Sequence, residues 1–288
     1  MATLGDPKNT ISVLQRHGIT AQKRFGQNFL IDPHVLEKIV RAADITKEDF
    51  VLEIGPGIGT LTQYLCEAAG KVCAVEIDQN LIPVLADTLA AYGNVSVLHA
   101  DVLKVDLKDL LAREAEGRPV KVVANLPYYI TTPILMQLLE DELPLRSITV
   151  MIQKEVAQRM AAAPGTKDYG ALTLAVQYYA EPYLAANVPP HCFLPRPTVG
   201  SAVIRLTLHE EPPVRVSDRA HMFALVRAAF QQRRKTLANA ASHYAGLDHT
   251  REEVAAALAR IGLPDTVRGE ALSLEQFAAL SEALQGKA

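Results

Sequence analysis

Short apolar runs alternate with segments of helical spacing through the middle of the chain. Five such runs predict strands: 51–54, 71–76, 95–99, 120–124 and 147–152. Segments of helical spacing follow them, most clearly at 79–92 and 132–139. Strands that alternate with helices are typical of a doubly wound, mostly parallel sheet with right-handed crossovers. The pattern therefore predicts an α/β fold.

Two further apolar runs near residue 200 break this alternation. Residues 183–188 and 201–208 have the length of strands, but the stretch between them is rich in proline and fits no helix. Strands joined without a crossover helix usually pair in the antiparallel sense. We therefore expect an antiparallel hairpin at one edge of the sheet.

The two ends of the chain differ in pattern from the middle. The first 30 residues show little periodicity and predict an arm, after which the Asp32-Pro33 pair begins a helix, because Asp caps a helix and Pro fits its first turn. Beyond residue 209 only helical patterns occur, and capping boxes at 250–253 and 273–276 begin two of them. The expected organisation is an arm over the candidate site, an α/β domain and a small all-α C-terminal domain: 1–30, 31–209 and 214–288.

Composition narrows the class of protein. Of the 288 residues, 49% are hydrophobic and 21% are charged, which is typical of a globular chain and excludes a mainly disordered one. No apolar run approaches the roughly 18 residues of a membrane span. The three cysteines show neither CxxC nor metal-site spacing. We expect a cytoplasmic monomer that binds neither a membrane nor a metal.

The charge is unevenly distributed. The net charge of −3 argues weakly against a nucleic-acid partner, but residues 1–41 hold six Lys or Arg against three Asp or Glu. The only run of three basic residues is Arg233, Arg234 and Lys235, in a stretch that we predict to be helical. A mildly acidic body with basic patches at its ends can still bind phosphates.

A glycine-rich segment follows the first predicted strand of the sheet. Gly55, Gly57 and Gly59 stand where the next helix begins, so the backbone there can approach a ligand and offer free N–H groups. A dinucleotide-binding turn has the spacing G-x-G-x-x-G, and this chain has Thr60 in place of the last glycine. The glycines alone would also suit a simple tight turn.

Two acidic residues at strand ends could bind the same ligand as the glycine-rich segment. Glu76 ends the second strand of the sheet, where a carboxylate can accept hydrogen bonds from both hydroxyls of a ribose. Asp101 follows the third strand and can accept from the exocyclic amine of an adenine. An adenosine-containing ligand fits these positions. Both a nicotinamide dinucleotide and S-adenosylmethionine remain open, and the glycine spacing moderately favours the second.

The tetrapeptide Asn125-Leu126-Pro127-Tyr128 directly follows the fourth strand of the sheet. An adenine N6 amine is a poor nucleophile because its lone pair is delocalised into the ring. The Asn125 side-chain oxygen and a backbone carbonyl at Leu126 or Pro127 can accept its two hydrogens and favour a pyramidal nitrogen. Tyr128 offers a flat face for the extracted base. This arrangement would act mainly by positioning and hydrogen bonding.

Four segments together resemble one known family. They are QNFL, EIGPG, NLPY and FQQRRKTL, at 27–30, 53–57, 125–128 and 230–237. In these segments the chain is similar to the ribosomal RNA adenine dimethylases, and the likeness covers nearly its whole length. The last segment is closer to the enzymes of the small ribosomal subunit than to the antibiotic-resistance enzymes that act on the large subunit.

The resemblance implies a Rossmann-like class I methyltransferase. The activity it implies is S-adenosyl-L-methionine-dependent dimethylation at N6 of two adjacent adenosines, in a hairpin loop near the 3′ end of small-subunit (16S) rRNA in the immature subunit. Residues implied to bind the cofactor are Asn28, Leu30, Gly55, Gly57, Glu76, Asp101 and Asn125. Residues implied in catalysis are Asn125, Leu126, Pro127, Tyr128 and Phe193, the last of which would sandwich the base with Tyr128. RNA contact is implied for Arg233, Arg234 and Lys235.

Three other functions would explain part of the sequence pattern. A large-subunit methyltransferase of the resistance type would share most of the motifs. A nicotinamide-dependent dehydrogenase would lack its third glycine and would explain neither the tetrapeptide at 125–128 nor the basic run. A non-catalytic ribosome assembly factor would not need Asn125 beside an intact glycine segment.

Overall fold

The computed structural model describes residues 3–22 and 25–286. Two basic residues of the arm, Lys23 and Arg24, lie outside the described residues. The chain divides into two compact units. The first comprises Met1–Ala157 and Pro182–Leu208, and the second comprises Gln158–Glu181 and His209–Ala288.

The first unit is built on a seven-stranded sheet and a separate two-stranded one. The strands are β1 Phe29–Leu30, β2 Phe50–Ile54, β3 Lys71–Glu76, β4 Val95–His99, β5 Val120–Asn125, β6 Leu145–Gln153, β7 Ala180–Val188, β8 Phe193–Leu194 and β9 Ser201–Leu208. The helices in this part of the chain are α1 Pro7–Arg16, α2 Pro33–Ala42, α3 Thr60–Ala68, α4 Ile82–Thr88, α5 Leu107–Glu114, α6 Thr131–Glu140 and α7 Lys154–Met160.

The large sheet has the order β4-β3-β2-β5-β6-β9-β7. Strands β2 to β6 pair in parallel, and β9 pairs with β6 in the antiparallel sense. Strand β2 is buried at every position and four of its five residues are apolar, as is usual where helices cover both faces of a parallel sheet. The predicted mostly parallel sheet with an antiparallel edge is confirmed.

The parallel register determines which residues share an edge. Ile54, the last residue of β2, pairs with Val75 of β3 and with Ala124 of β5. Glu76, which ends β3, pairs with His99 of β4. The carboxyl ends of four strands therefore meet at one edge of the sheet, where ligands bind in this class of fold.

The arm contains a helix that the sequence analysis missed. Helix α1 begins after Asp6, whose carboxylate accepts from the Lys8 N–H, and Pro7 stands in its first turn. This is the same Asp-Pro signal that correctly predicts the start of α2 after Asp32. The predicted helix 79–92 is also shorter than expected, because a 3-10 turn precedes α4 and α4 ends at Thr88.

The second unit is helical. Its main helices are α8 Ala171–Tyr179, α9 Arg219–Gln231, α10 Leu237–Ser242, α11 Arg251–Arg260 and α12 Leu274–Leu284. The capping boxes at 250–253 and 273–276 form as predicted and begin α11 and α12. The apolar core of this unit includes Met222, Leu225, Phe277 and Leu280, each almost completely buried.

The second unit also takes in a segment that the sequence analysis placed in the α/β domain. Residues 158–181 belong to it together with residues 209–288. Tyr169 donates its hydroxyl to the Leu272 carbonyl at 2.8 Å, and the Tyr178 ring packs edge-on against Phe223 with centroids 5.3 Å apart. Such contacts between distant residues leave no periodic signal in the sequence.

The basic run is not helical, contrary to the prediction. Helix α9 ends at Gln231 and α10 begins at Leu237, so Arg233, Arg234 and Lys235 lie in the turn between them. The Arg233 guanidinium donates to the carbonyls of Lys167 and Tyr169, at 3.2–3.3 Å and 3.2 Å respectively. It also pairs with Glu270 at 3.3 Å. These bonds tie the turn to the rest of the unit.

Arg233→Ala should destabilise the protein, whereas Arg234→Ala should not. The Arg233 side chain is 43% exposed, so we expect a loss of about 1 kcal/mol, below the usual range for hydrogen bonds of charged groups. Arg234 is exposed and has no such bonds in the described part of the chain. Urea unfolding midpoints of the two variants measure the difference. Equal midpoints would contradict this role of Arg233.

Candidate active site

The carboxyl ends of the parallel strands open into a cleft. Residues of the arm and of the segment at β8 complete its wall. All the residues predicted for the cofactor and for catalysis line this cleft: Asn28, Leu30, Gly55, Gly57, Glu76, Asp101, Asn125, Leu126, Pro127, Tyr128 and Phe193. The predicted RNA-binding residues Arg233, Arg234 and Lys235 belong to the second unit instead.

The glycine-rich segment turns sharply between β2 and α3. Gly55, Gly57 and Gly59 all have positive φ, at 70°, 62° and 89°, a conformation that strains residues with a side chain. Gly59 is the N-cap of α3 and has no side chain to occupy the free N–H groups of the first turn. A Cβ atom on Gly57 would lie 3.4 Å from the Phe29 ring. The first turn of α3 is thus available to a polar ligand.

Glu76 is held rigidly where β3 ends. Its Oε1 accepts from the Asp78 N–H at 2.8 Å, and its Oε2 accepts from the Gly57 N–H at 3.1 Å. The side chain is almost completely buried. Burial raises the pKa of Glu76, and the two backbone N–H bonds oppose this rise. Glu76 therefore fixes the glycine segment and keeps spare lone pairs on both oxygens.

The arm is bonded to the same strand ends. The Asp78 carboxylate accepts from Gln27 Nε2 at 2.9 Å and from Gln22 Nε2 at 3.3 Å. Asn125 Nδ2 donates to the Asn28 carbonyl at 3.3 Å. These bonds place residues 25–30 along the cleft.

Asp101 also lines the cleft, at the end of β4. It follows β4 and caps a 3-10 turn, since its Oδ1 accepts from the Leu103 N–H at 3.2 Å. Lys104 Nζ approaches its Oδ2 at 3.6 Å, and the Asp101 side chain is 27% exposed. The carboxylate is thus oriented and still accessible from the cleft.

The segment after β5 forms a tight turn with one unused carbonyl. The Pro127 carbonyl accepts from the Ile130 N–H at 3.2 Å and from the Thr131 hydroxyl at 3.0 Å. The Leu126 carbonyl has no such donor among the described residues, and neither has the Asn125 side-chain oxygen. Of the two backbone carbonyls considered from the sequence, the one at Leu126 is therefore the available acceptor.

Two aromatic residues stand beside these acceptors. The Tyr128 hydroxyl lies 2.9 Å from the Ser201 hydroxyl at the start of β9, a contact that limits rotation of the ring. Phe193 is buried in β8, where its backbone partner is Leu30 of β1. The two-stranded sheet thus joins the arm to the second predicted stacking residue.

Sequence reasoning missed Glu53 as a site residue. It lies in β2, lines the cleft and is 1% exposed, and its Oε2 has no hydrogen-bond partner among the described residues. Burial raises the pKa of Glu53 to about 8, and the charge of Glu76 adds to this rise. The available signal was an acidic residue inside an otherwise apolar buried strand.

Groups of metal ligands and membrane-spanning helices are both absent from the described residues. Within residues 3–22 and 25–286, no three His, Cys, Asp or Glu side chains are grouped closely enough to hold a metal ion. Over the same residues, every helix is too short or too polar to cross a bilayer.

Glu53→Gln should make the stability of the protein less sensitive to pH. Between about pH 5 and pH 8, Glu53 is deprotonated in the unfolded chain but still protonated in the folded protein. Because the folded state binds the extra proton, the free energy of unfolding falls as the pH rises through this interval. Glutamine has nearly the same shape and does not titrate. The variant should therefore gain stability relative to the wild type across this interval, which urea unfolding at several pH values measures. A difference that stays constant with pH would contradict the expectation.

Comparison with known proteins places the chain in a family. The sequence profile described as ribosomal RNA adenine dimethylase matches residues 18–285. A protein of Lachnoclostridium phytofermentans named ribosomal RNA small subunit methyltransferase A is 60% identical over 288 residues, covering 100% of this chain and 99% of that protein. A protein of the same name from Alkaliphilus metalliredigens is 52% identical over 282 residues, covering 98% of each chain.

Solved structures with a similar fold are consistent with this family. A dimethyladenosine transferase from Plasmodium falciparum superposes with a TM-score of 0.74 at 26% identity, over 88% of this chain and 95% of that one. The 23S rRNA methyltransferase ErmE superposes with a TM-score of 0.68 at 28% identity, over 90% of this chain and 100% of that one. The fold is that of a Rossmann-like class I methyltransferase, as the sequence predicted. The chain belongs to the ribosomal RNA adenine dimethylase family.

Proposed function

We propose that this protein uses S-adenosyl-L-methionine to dimethylate N6 of two adjacent adenosines in a hairpin loop near the 3′ end of small-subunit rRNA. The observation that carries this proposal is the turn at 125–128, which presents two unused acceptors and an aromatic ring in the same cleft as Glu76 and Asp101. Membership of the family and the names of the relatives support it. The reaction would be a step of ribosome biogenesis.

The cleft fits the cofactor. The uncapped first turn of α3 suits a polar or charged group, and Glu76 suits the two ribose hydroxyls. Asp101 suits the adenine amine. The partnerless Oε2 of Glu53 is a buried polar atom that a polar ligand group could satisfy. When bound, S-adenosylmethionine supplies an electrophilic methyl group on its sulfonium.

The cofactor-binding set further includes Asn28, Leu30, Gly55 and Gly57, on the wall formed by the arm and the glycine segment. Asn28 is bonded through its carbonyl to Asn125 Nδ2. Asn125 therefore lies between the cofactor residues and the position proposed for the target amine, where it can orient both.

The protein acts on the target amine through hydrogen bonding and stacking. Asn125 Oδ1 and the Leu126 carbonyl accept its two hydrogens, which favours a pyramidal nitrogen with an available lone pair. Pro127 fixes the turn that directs the carbonyl. Tyr128 and Phe193 hold the extracted base between their rings. Because the amine becomes acidic only once it has been methylated, no general base is needed beforehand and the proton leaves afterwards.

The alternatives explain less of the site. A dehydrogenase would not need two acceptors and a stacking ring at the end of β5, and the chain has Thr60 where a dinucleotide turn has glycine. Action on the large subunit fits the similarity to ErmE, but the relatives named for the small subunit are up to 60% identical. A purely structural assembly factor would not require the acceptor geometry around Asn125.

We further propose that the protein works in the cytoplasm as a monomer on the immature small subunit. The α/β domain and arm would carry the chemistry, and the C-terminal helices would recognise RNA. Exposed Arg234 and Lys235, on the turn between α9 and α10, support RNA contact by the second unit. Arg233 contributes less than expected from the sequence, since its guanidinium is already bonded.

Asn125→Ala should abolish methyl transfer and weaken cofactor binding far less, because the cofactor keeps its contacts with Glu76, Asp101 and the glycine segment. Removal of one positioned hydrogen-bonding group from such a site costs about 100- to 1,000-fold in rate. The measurement is incorporation of labelled methyl into unmethylated small subunits, with calorimetry of S-adenosylhomocysteine binding as the control for folding and for the cofactor site. Turnover close to that of the wild type would overturn the proposed function.

Replacing both Arg234 and Lys235 by Ala should weaken binding to the small subunit and reduce its dependence on salt. Each phosphate that the variant no longer neutralises should lower the slope of log affinity against log salt by about 0.7–0.9. Arg113→Ala, which removes an exposed arginine of α5 in the first unit, is the matched control. If the double variant and this control give the same slope, the turn does not bind RNA.

A further inference from the structure

The rim of the cleft carries an aromatic side chain that the proposed mechanism does not use. Tyr129 is 59% exposed, more than any other large apolar residue in the described part of the chain. It lines the cleft and immediately follows Tyr128. An exposed tyrosine is ordinary on a protein surface, so its position at the mouth of this cleft is what matters.

The structure holds Tyr129 in a defined place. It lies in the turn that the two hydrogen bonds to the Pro127 carbonyl close, directly before α6. On one side its ring lies against the backbone of Gly26 in the arm, where an added Cβ atom would be 3.5 Å from two ring carbons. The backbone turn and the arm thus fix the ring at the rim, while more than half of the side chain stays open to solvent.

Tyr128 and Tyr129 differ in their surroundings. The Tyr128 hydroxyl contacts Ser201, and its ring is half-buried in the cleft. The Tyr129 hydroxyl has no corresponding partner among the described residues, and its ring is exposed. The two neighbouring rings therefore present one aromatic surface inside the cleft and one at its rim.

An extracted base leaves a gap in the RNA. An enzyme that acts on a base must unstack it from its neighbours, and the neighbours lose a stacking partner at the same time. A flat aromatic surface at the rim can replace that partner, and it can do so for any base because every base has a π-face.

We propose that Tyr129 is a second base-stacking site, which binds the nucleotide adjacent to the adenosine held in the cleft. This proposal rests on the proposed function, because it assumes an RNA adenosine in the cleft. For a substrate with two adjacent adenosines, the nucleotide bound at Tyr129 is the other adenosine of the pair. Tyr129 thereby favours a purine next to the target and contributes to the choice of site.

The first experiment compares Tyr129→Ala, Tyr129→Leu and Tyr129→Phe with the wild type on unmethylated small subunits. Stacking on one base is worth about tenfold in affinity, so we expect KM for the subunit to rise about tenfold in the Ala and Leu variants. The Phe variant keeps the ring and should resemble the wild type. Affinity for S-adenosylhomocysteine should be unchanged in all three, and melting temperatures check that each variant folds.

A role of Tyr129 in packing the arm alone gives a different result. In that case Tyr129→Ala would disturb the arm at Gly26 and weaken the binding of S-adenosylhomocysteine, and Tyr129→Leu would restore part of the loss. Either that pattern or a KM that no variant changes would overturn the proposal.

The second experiment changes the RNA. Small subunits are reconstituted with rRNA in which one adenosine of the pair is replaced by guanosine or by uridine, and methylation of the remaining adenosine is measured. The wild type should prefer the guanosine neighbour, because a purine stacks over a larger area, and Tyr129→Ala should lose that preference. If the preference is the same in both proteins, the adjacent base does not stack on Tyr129. A wild type that methylates none of the subunits, including those with natural rRNA, would instead contradict the proposed function and this proposal with it.

Discussion

The parallel register of β2, β3, β4 and β5 is the constraint on which the site depends. It brings the ends of four strands to one edge, so that residues far apart in the chain line a single cleft. A shift of one residue in any strand would turn its side chains to the opposite face. The buried apolar side chains of β2, β3 and β5 fix the register, and Glu76 and Asn125 occupy their positions because of it.

Hydrogen bonds then join the arm to this edge. Glu76 holds the glycine segment, Asp78 holds the two glutamines of the arm, and Asn125 holds the Asn28 carbonyl. The proposed cofactor residues are therefore mechanically linked to the residues proposed to orient the amine. A substitution of Asp78 or Asn125 would therefore remove a hydrogen bond that positions the arm.

The sequence predicts the parts of this arrangement that depend on local pattern. Strand ends follow from short apolar runs, so Glu76 and Asn125 could be placed at the sheet edge from the sequence alone. Long-range packing leaves no such pattern, which is why the sequence does not indicate that residues 158–181 pack with the C-terminal helices. The run at 233–235 has residues that favour helices, yet tertiary hydrogen bonds of Arg233 hold it as a turn. The sequence shows Glu53 as an acidic residue in an apolar strand, but only the folded structure shows that its Oε2 has no hydrogen-bond partner among the described residues.

If this cleft dimethylates adenine in small-subunit rRNA, cells without the protein must lack that modification. Mass spectrometry of rRNA from cells that lack the protein tests it most directly. We predict that two adjacent adenosines near the 3′ end of the small-subunit rRNA lose their N6 methyl groups, and that the wild-type gene restores them. An unchanged set of dimethyladenosines in those cells would contradict the claim.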